Sequence, residues 1–394
     1  MTATIDPILR RAVQIFSIEG LLERLGSGKS LRIKLGADPS RPDLHLGHSV
    51  VLRALRVFQD MGHEVIFIVG DYTATIGDPS GRSKTRPALT FEETRKSGES
   101  YFKQATKILD SARTRIEYNS SWLSKLSFED ILKLTGKYTV ARILERDDFK
   151  KRFDTNQPIC MHELLYPLMQ GYDSVALEAD VEIGGTDQTF NLLVGRELQR
   201  DYGQRPQEVI TFPLLIGLDG VEKMSKSLDN YIGLDESPEA MFEKAMKIPD
   251  SLLKDYFRLT TDVPLEVVES LIGGDIREAH VAYGKEIVRM YHGEAAIEKA
   301  TRRYAEVAGG GVPTTVPTRT VSADQLRDGK LSLIEVLRLV GFAATNSEAR
   351  RIIEGRGVKV DSVTATDIGY VVDLSADRTI QYGKSKFVRL TTAG

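Results

Sequence analysis

Apolar and polar residues alternate along this chain with two periods, and the change from one to the other marks its elements. Leu31-Arg32-Ile33-Lys34-Leu35-Gly36 alternates with the two-residue period of a strand. Val50, Val51, Leu55 and Phe58 then repeat at helical spacing, predicting a helix over about 46–61. Glu64 to Gly70 is an unbroken apolar run after its first residue, which suits a central parallel strand covered on both faces. Strand, helix, strand is the pattern of an α/β sheet. Further strands are predicted at 115–119, 179–183 and 209–212. Helices are predicted at 8–25, 91–111 (Thr90 and Glu93 forming a capping box), 128–150 and from 189 to about 200. Residues 236–307 read as helical throughout, and Gly309 to Pro317 has a linker composition. Beyond it come two short helices, at 332–341 and 347–354, and strands at 358–360 and 386–390. The predicted organisation is a Rossmann-like α/β domain with a parallel sheet over 1–230 and a helical domain over 231–308. A linker over 309–330 and a small α+β domain over 331–394 complete it.

Composition narrows the classes of function. With 394 residues, 41% of them hydrophobic, the chain can bury a sizeable core in two or three domains. No apolar run reaches the length of a membrane span, and the N-terminus has neither the basic start nor the apolar core of a secretory signal, so a soluble cytoplasmic protein is expected. Cys160 is the single cysteine, which excludes an intrachain disulfide and a thiolate zinc site. The net charge of −3 is not that of a general nucleic-acid binder, although residues 331–394 carry nine Lys or Arg against seven Asp or Glu.

The chemistry sits where strands meet helices. His45 and His48, three residues apart, open the helix that follows the first predicted parallel strand. There they lie beside unpaired backbone N–H groups and a partly positive helix end, which suits phosphate. The plain alternative is that His45 caps the helix and His48 packs on its strand. Gly26-Ser27-Gly28-Lys29-Ser30 ends like a P-loop, but Glu23 stands where that motif needs glycine and the element order is reversed, so it is read as a helix-ending turn. Asp71 to Pro87 is a loop rich in Gly, Pro and cations at the carboxyl end of a strand, where α/β sheets bind ligands. Tyr166, Gln170 and Asp173 share one face of an otherwise apolar helix, and a buried Asp173 must meet a protein donor or a ligand. Leu218 to Leu228 reads as a polar, mobile loop.

His45-Leu46-Gly47-His48 and Lys223-Met224-Ser225-Lys226-Ser227 resemble the two signature motifs of class I aminoacyl-tRNA synthetases. With Gly77-Asp78-Pro79-Ser80-Gly81, the Tyr166, Gln170 and Asp173 set, and Gly184-Gly185-Thr186-Asp187-Gln188, the chain resembles the bacterial tyrosyl-tRNA synthetases along its whole length. Residues 331–394 resemble an S4 RNA-binding domain. The resemblance implies activation of L-tyrosine with ATP and Mg²⁺, followed by transfer to tRNA(Tyr), in a homodimer with no membrane association and no metal held by protein ligands. It implies that His45, His48, Lys223, Lys226, Arg82 and Arg86 act in catalysis, with Lys84 in the same lid. Gly36, Asp38, Gly47, Gly185, Asp187, Met224, Ser225 and Lys226 would bind ATP. Asp78, Asn119, Tyr166, Gln170, Asp173 and Gln188 would bind tyrosine, with Asp173 accepting from the phenol. Arg350, Arg351, Arg356 and Lys359 would contact RNA, and the helical domain the anticodon. One position departs: Lys34 stands where many members have a tyrosine that touches the phenol. Either Lys34 pairs with a carboxylate, or a neighbour such as Tyr72 supplies the second contact. A tryptophan-specific synthetase and a synthetase-like RNA-binding or regulatory protein without aminoacylation are the alternatives.

Overall fold

The computed structural model describes residues 2–38, 44–78, 90–309, 311–313, 316–383 and 386–392. Its chain divides into two compact units, residues 1–237 with 244–291, and residues 238–243 with 292–394. The helices Asp250–Thr260 and Leu265–Gly273 and most of Ile276–His292 thus belong with the first unit, although the loss of strand signal predicted a boundary at 231. Arg11 gives one physical reason. Its buried guanidinium donates to the carbonyls of Leu259 (3.1 Å) and Thr261 (2.6 Å) and to Asp262 (2.6 Å), so the N-terminal segment caps that helical run.

The first unit is built on a six-stranded sheet. In chain order its strands are β1 (Gln14–Phe16), β2 (Arg32–Ala37), β3 (Glu64–Val69), β4 (Thr114–Tyr118), β5 (Val181–Gly185) and β6 (Glu208–Phe212). Their spatial order is β1-β6-β5-β2-β3-β4, parallel throughout except for β1, which runs antiparallel to β6. The predicted Rossmann-like sheet is present, and its order reverses between β2 and β5. In such sheets that reversal opens a crevice at the carboxyl ends of the strands. Ile33, Val65, Ile66, Ile183 and Ile210 are at most 1% exposed, as strands covered on both faces require.

Helix Leu46–Asp60 returns from β2 and buries Leu46, Val50, Leu52, Leu55 and Phe58. Helices Met161–Leu177 and Thr189–Asp201 flank β5 and cross closely. A Cβ on Gly171 would meet Leu198 at 2.9 Å and Val194 at 3.0 Å, so only glycine lets the two backbones approach.

Two helix predictions need correction. Residues 8–25 form the end of helix Thr2–Leu9, strand β1 and helix Ile18–Gly26, because Gln14, Ile15 and Phe16 pair with Thr211, Ile210 and Val209 at the sheet edge. Ser17 then starts the second helix by accepting from the Gly20 N–H. Residues 128–150 are likewise broken into Phe128–Thr135, Val140–Ile143 and Asp147–Asp154, with Ser127 capping the first and Thr139 capping a new start.

The second unit contains helix Ala295–Ala308 and, from 318 onward, a small mixed structure. Strands Val363–Thr364, Val358–Val360, Arg378–Tyr382, Lys386–Thr392 and Thr318–Val321 form one sheet in that spatial order. Thr318–Val321, within the stretch predicted as linker, pairs parallel to Lys386–Thr392, and its Val321 is fully buried. The helices Leu333–Leu339 and Asn346–Glu354 cover the same core through Leu333, Val336, Leu337, Ile352 and Ile353.

Candidate active site

The carboxyl ends of β2 and β5 open into a cavity of about 390 Å³ lined by both histidines, the lysine loop and the acidic face of helix Met161–Leu177. At one wall, His45 is the N-cap of helix Leu46–Asp60. Its Nδ1 accepts from the Gly47 N–H at 3.2 Å, and His48 Nδ1 accepts from the His45 N–H at 3.2 Å, a reciprocal capping box made by two imidazoles. The ring centroids lie 4.0 Å apart. Burial drives His45 down to about 2, helped by the neighbouring His48 ring, with which it would have to share any positive charge, and by Lys223; burial drives His48 down to about 4. Both rings are therefore neutral at pH 7. With each Nδ1 accepting, each proton sits on Nε2 as a donor. The capping reading and the phosphate reading of these histidines are thus compatible, since the cap uses one ring nitrogen and leaves the other.

The opposite wall is the loop 218–230, and it is braced. The Asn230 side chain accepts from the Ser225 N–H (2.7 Å) and donates to Asp219 (2.5 Å) and the Lys223 carbonyl (3.2 Å). Asp219 also accepts from the N–H groups of Val221 and Glu222, both at 3.0 Å. Met224 is buried, and its N–H donates to the Leu215 carbonyl at 2.7 Å. The polar composition that predicted a mobile loop is largely the set of groups that fixes it. Lys223 Nζ lies 3.1 Å from Asp187 Oδ2, and Lys226 Nζ lies over the Tyr231 ring, 5.4 Å from its centroid.

The deep end is acidic. Asp38 accepts from Thr73 Oγ1 at 2.8 Å and from the Tyr166 hydroxyl at 2.9 Å. Burial and the neighbouring carboxylates Asp38 and Asp78 push the Tyr166 phenol far up, so it remains a neutral donor. Asp78 accepts from Gln188 Nε2 at 2.8 Å and faces the Arg146 guanidinium at 3.7 Å. Gln170 Oε1, also lining the cavity, is buried with no hydrogen-bond donor among the described residues. Asp173 is buried and accepts from the Trp122 indole N–H at 2.8 Å and from Asn119 Nδ2 at 3.4 Å. Behind it, Lys34 Nζ pairs with Glu182 Oε1 at 2.8 Å. Lys34 thus pairs with a carboxylate, as one of its two readings had it, and Asp173 takes its shorter hydrogen bond from Trp122.

His45, His48, Lys223 and Lys226 thus share one cavity with Gly36, Asp38, Gly47, Gly185, Asp187, Met224 and Ser225, and with Asp78, Asn119, Tyr166, Gln170, Asp173 and Gln188. Arg82, Lys84 and Arg86 lie outside the described residues. Arg350, Arg351 and Arg356 are exposed and Lys359 half-buried in the second unit. Sequence reasoning passed over four residues: Trp122, Glu182, Arg146 and Asn230. Trp122 carried a usable signal, being the single tryptophan and three residues from Asn119. Arg146 and Glu182 carried none, because the site residues they pair with, Asp78 and Lys34, are remote in sequence. The cavity can hold a polyanion between the histidines and lysines, and a cation with a hydrogen-bond donor at the acidic end.

The profile of a family described as tRNA synthetases class I (W and Y) matches residues 27–308. The chain belongs to this family. A second profile, the S4 domain, matches residues 333–377 of this class I synthetase. The chain is 53% identical to the tyrosine–tRNA ligase of Deinococcus radiodurans, over 99% of this chain and 96% of the relative. It is 48% identical to that of Haemophilus ducreyi, over 99% and 100%. In fold it is similar to the tyrosyl-tRNA synthetase of Archaeoglobus fulgidus complexed with L-tyrosine, with TM-score 0.61, 22% identity, and 75% of this chain and 98% of that one covered. A C-terminally truncated mitochondrial tyrosyl-tRNA synthetase of Aspergillus nidulans gives TM-score 0.63 at 22% identity, over 77% and 93%.

Proposed function

We propose that this synthetase is a tyrosine–tRNA ligase. It activates L-tyrosine with ATP to tyrosyl-adenylate and diphosphate, then transfers the tyrosyl group to the 3′ end of tRNA(Tyr) with release of AMP. The observation that carries the tyrosine assignment is the pairing of two acceptors in one cavity, the Gln170 Oε1 without a donor and the buried Asp173 carboxylate. The first suits the substrate ammonium, together with Asp78 and Tyr166; the second suits a phenol. Phenylalanine would leave the buried Asp173 short of a donor, which costs more than the contact itself gains. Asn119 and Gln188 hold Asp173 and Asp78 in place.

The tyrosine carboxylate arrives ionised and attacks the α-phosphorus, forming one P–O bond as the bond to the β-phosphate breaks and its electron pair leaves with diphosphate. No general base is required, so the protein's part is positioning and stabilisation of the charge that develops on the leaving group. The Nε2–H groups of His45 and His48, the helix N-terminus beside them and the ammonium groups of Lys223 and Lys226 supply the donors. Arg82 and Arg86 join them in this proposal. Asp187 takes the ribose, releasing Lys223 from its present contact toward phosphate. Gly36, Asp38, Gly47 and Gly185 give the nucleotide access to the backbone, with Met224 and Ser225 on the loop side. Magnesium would enter with ATP and would offset phosphate charge together with the ammonium groups of Lys223 and Lys226.

The helical residues 231–308 are proposed to meet the anticodon arm. Arg350, Arg351, Arg356 and Lys359 would touch RNA phosphates, contacts that position without specifying sequence. Phe128, Leu132, Val140, Phe153 and Met161 are each more than half exposed, and all fall between residues 128 and 161. That apolar surface supports a homodimer formed through the first unit. No helix among the described residues is long and apolar enough to cross a membrane, and a cytoplasmic site of action is proposed.

Amino-acid-dependent ATP–diphosphate exchange with tyrosine, tryptophan and phenylalanine in parallel tests this reading. Exchange with tyrosine alone is expected. A preference for tryptophan would replace the substrate, and no exchange with any of the three would indicate a binding protein on a synthetase scaffold.

A further inference from the structure

Behind the deep end of the cavity lies a buried ionic cluster that the reaction steps above do not use. Lys34 on β2 and Glu182 on β5 are direct cross-strand partners in the centre of the parallel sheet. Their side chains are each 1% exposed, and Nζ stands 2.8 Å from Oε1. The other Glu182 oxygen accepts from Ser174 Oγ (3.1 Å) and Gln207 Nε2 (2.5 Å). Ser174 adjoins Asp173, so the cluster touches the helix turn that carries the phenol acceptor. Gly195 closes it from the neighbouring helix, where a Cβ would stand 2.6 Å from Ser174 Oγ and 3.3 Å from Glu182 Oε2. Beyond the Glu182 pairing, the Lys34 ammonium has no hydrogen-bond acceptor among the described residues.

As a device for stability this is a poor one. A buried ion pair loses most of its attraction to desolvation, and apolar residues of similar volume often serve as well or better. Its location suggests another use. We propose that Lys34, balanced by Glu182, is a specificity-determining positioning residue that keeps the Asp173 carboxylate charged, and so sets the pH range over which tyrosine is preferred to phenylalanine. The proposal rests on the reading that Asp173 accepts from the phenol.

The charges acting on Asp173 from the packed elements are those of Lys34 on β2 and Glu182 on β5. Trp122 and Asn119, beyond β4, are uncharged donors to it. Burial raises Asp173 to about 7; Lys34 and the two donors oppose that rise, and Glu182 adds to it. Removing the lysine charge and removing the glutamate charge should therefore move Asp173 in opposite directions. A pair serving only packing would give no such difference in sign.

The test is the pH dependence, between about pH 6 and 8.5, of the tyrosine KM and of the tyrosine-to-phenylalanine ratio of kcat/KM in exchange. The variants are Lys34→Met, Glu182→Gln, the double variant and Asp173→Asn. Lys34→Met should move the midpoint of the KM rise upward by about one pH unit, lowering the tyrosine preference near neutrality about tenfold. Glu182→Gln should move the midpoint downward and the double variant should fall between, with the ATP KM unchanged in all three. Should Lys34→Met fail to fold, the near-isosteric Glu182→Gln and the double variant carry the same comparison of signs. Coincident midpoints in the charge variants, with the preference lost in Asp173→Asn, would overturn the role of Lys34 alone. A preference retained in Asp173→Asn would overturn the phenol reading beneath it.

Discussion

His45 is given two tasks on two ring nitrogens, and substitution can separate them. Nδ1 caps helix Leu46–Asp60 by accepting from the Gly47 N–H, while Nε2–H faces the cavity for phosphate. In His45→Asn the side-chain oxygen sits near the position of Nδ1 and can keep the cap, but nothing replaces Nε2. His45→Ala loses both. Loss of an N-cap acceptor costs about 1 kcal/mol of stability. A hydrogen bond to a charged group contributes about 1.5–3 kcal/mol, which, if made only to the leaving diphosphate, slows adenylate formation by about 10- to 150-fold. His45→Ala should therefore be less stable than wild type by about 1 kcal/mol and slow, whereas His45→Asn should be equally slow and within a few tenths of a kcal/mol of wild-type stability. Single-turnover adenylate formation gives the rate, and urea unfolding gives the stability. A fast His45→Asn variant would remove Nε2 from the mechanism; one as unstable as His45→Ala would remove Nδ1 from the cap.

Further outcomes follow from the same geometry. Gln170→Met deletes an acceptor that has no donor among the described residues, so stability should hold or rise slightly while the tyrosine KM increases by about tenfold or more in exchange; an unchanged KM would mean that the ammonium binds elsewhere. Lys226→Ala should slow adenylate formation by at least about tenfold with little change in tyrosine affinity, and a wild-type exchange rate would exclude Lys226 from the phosphate end. Both histidines have folded values below their ordinary 6.5, so the unfolded chain takes up protons first. Their contribution to stability is complete above about pH 6.5 and declines as pH falls toward about 4. Urea midpoints at pH 7.5 and about pH 5 should fall more steeply for wild type than for His45→Asn/His48→Asn, and parallel slopes would contradict the neutral pair.

The sequence was most legible where one element carries its own signal. The helix at 46–60, the apolar strand β3 and the Thr90 cap all followed from local periodicity and capping chemistry. It was least legible where a partner decides. Gln14-Ile15-Phe16 fits a helical stripe as well as a strand until β6 is present to pair with it. The run at 128–150 has helical composition throughout, but its first helix stops at Thr135 and Thr139 caps a second start inside it. In the site, the face shared by Tyr166, Gln170 and Asp173 could be read from spacing alone. Lys34 could be identified as a misfit, yet its partner Glu182 lies on a strand made adjacent only by the sheet's reversal. The stretch Leu218 to Leu228 shows the opposite error: its polar composition read as a mobile loop, yet Asp219 and the adjoining Asn230 brace it from within.

The measurement closest to the central claim is a crystal structure with a non-hydrolysable sulfamoyl analogue of tyrosyl-adenylate. The account predicts the phenol oxygen at hydrogen-bond distance from Asp173, the ammonium on Gln170 Oε1, the ribose on Asp187 in place of Lys223, and the sulfamoyl group on the side of His45 and His48. A phenol directed away from Asp173, or an analogue bound outside this cavity, would contradict it.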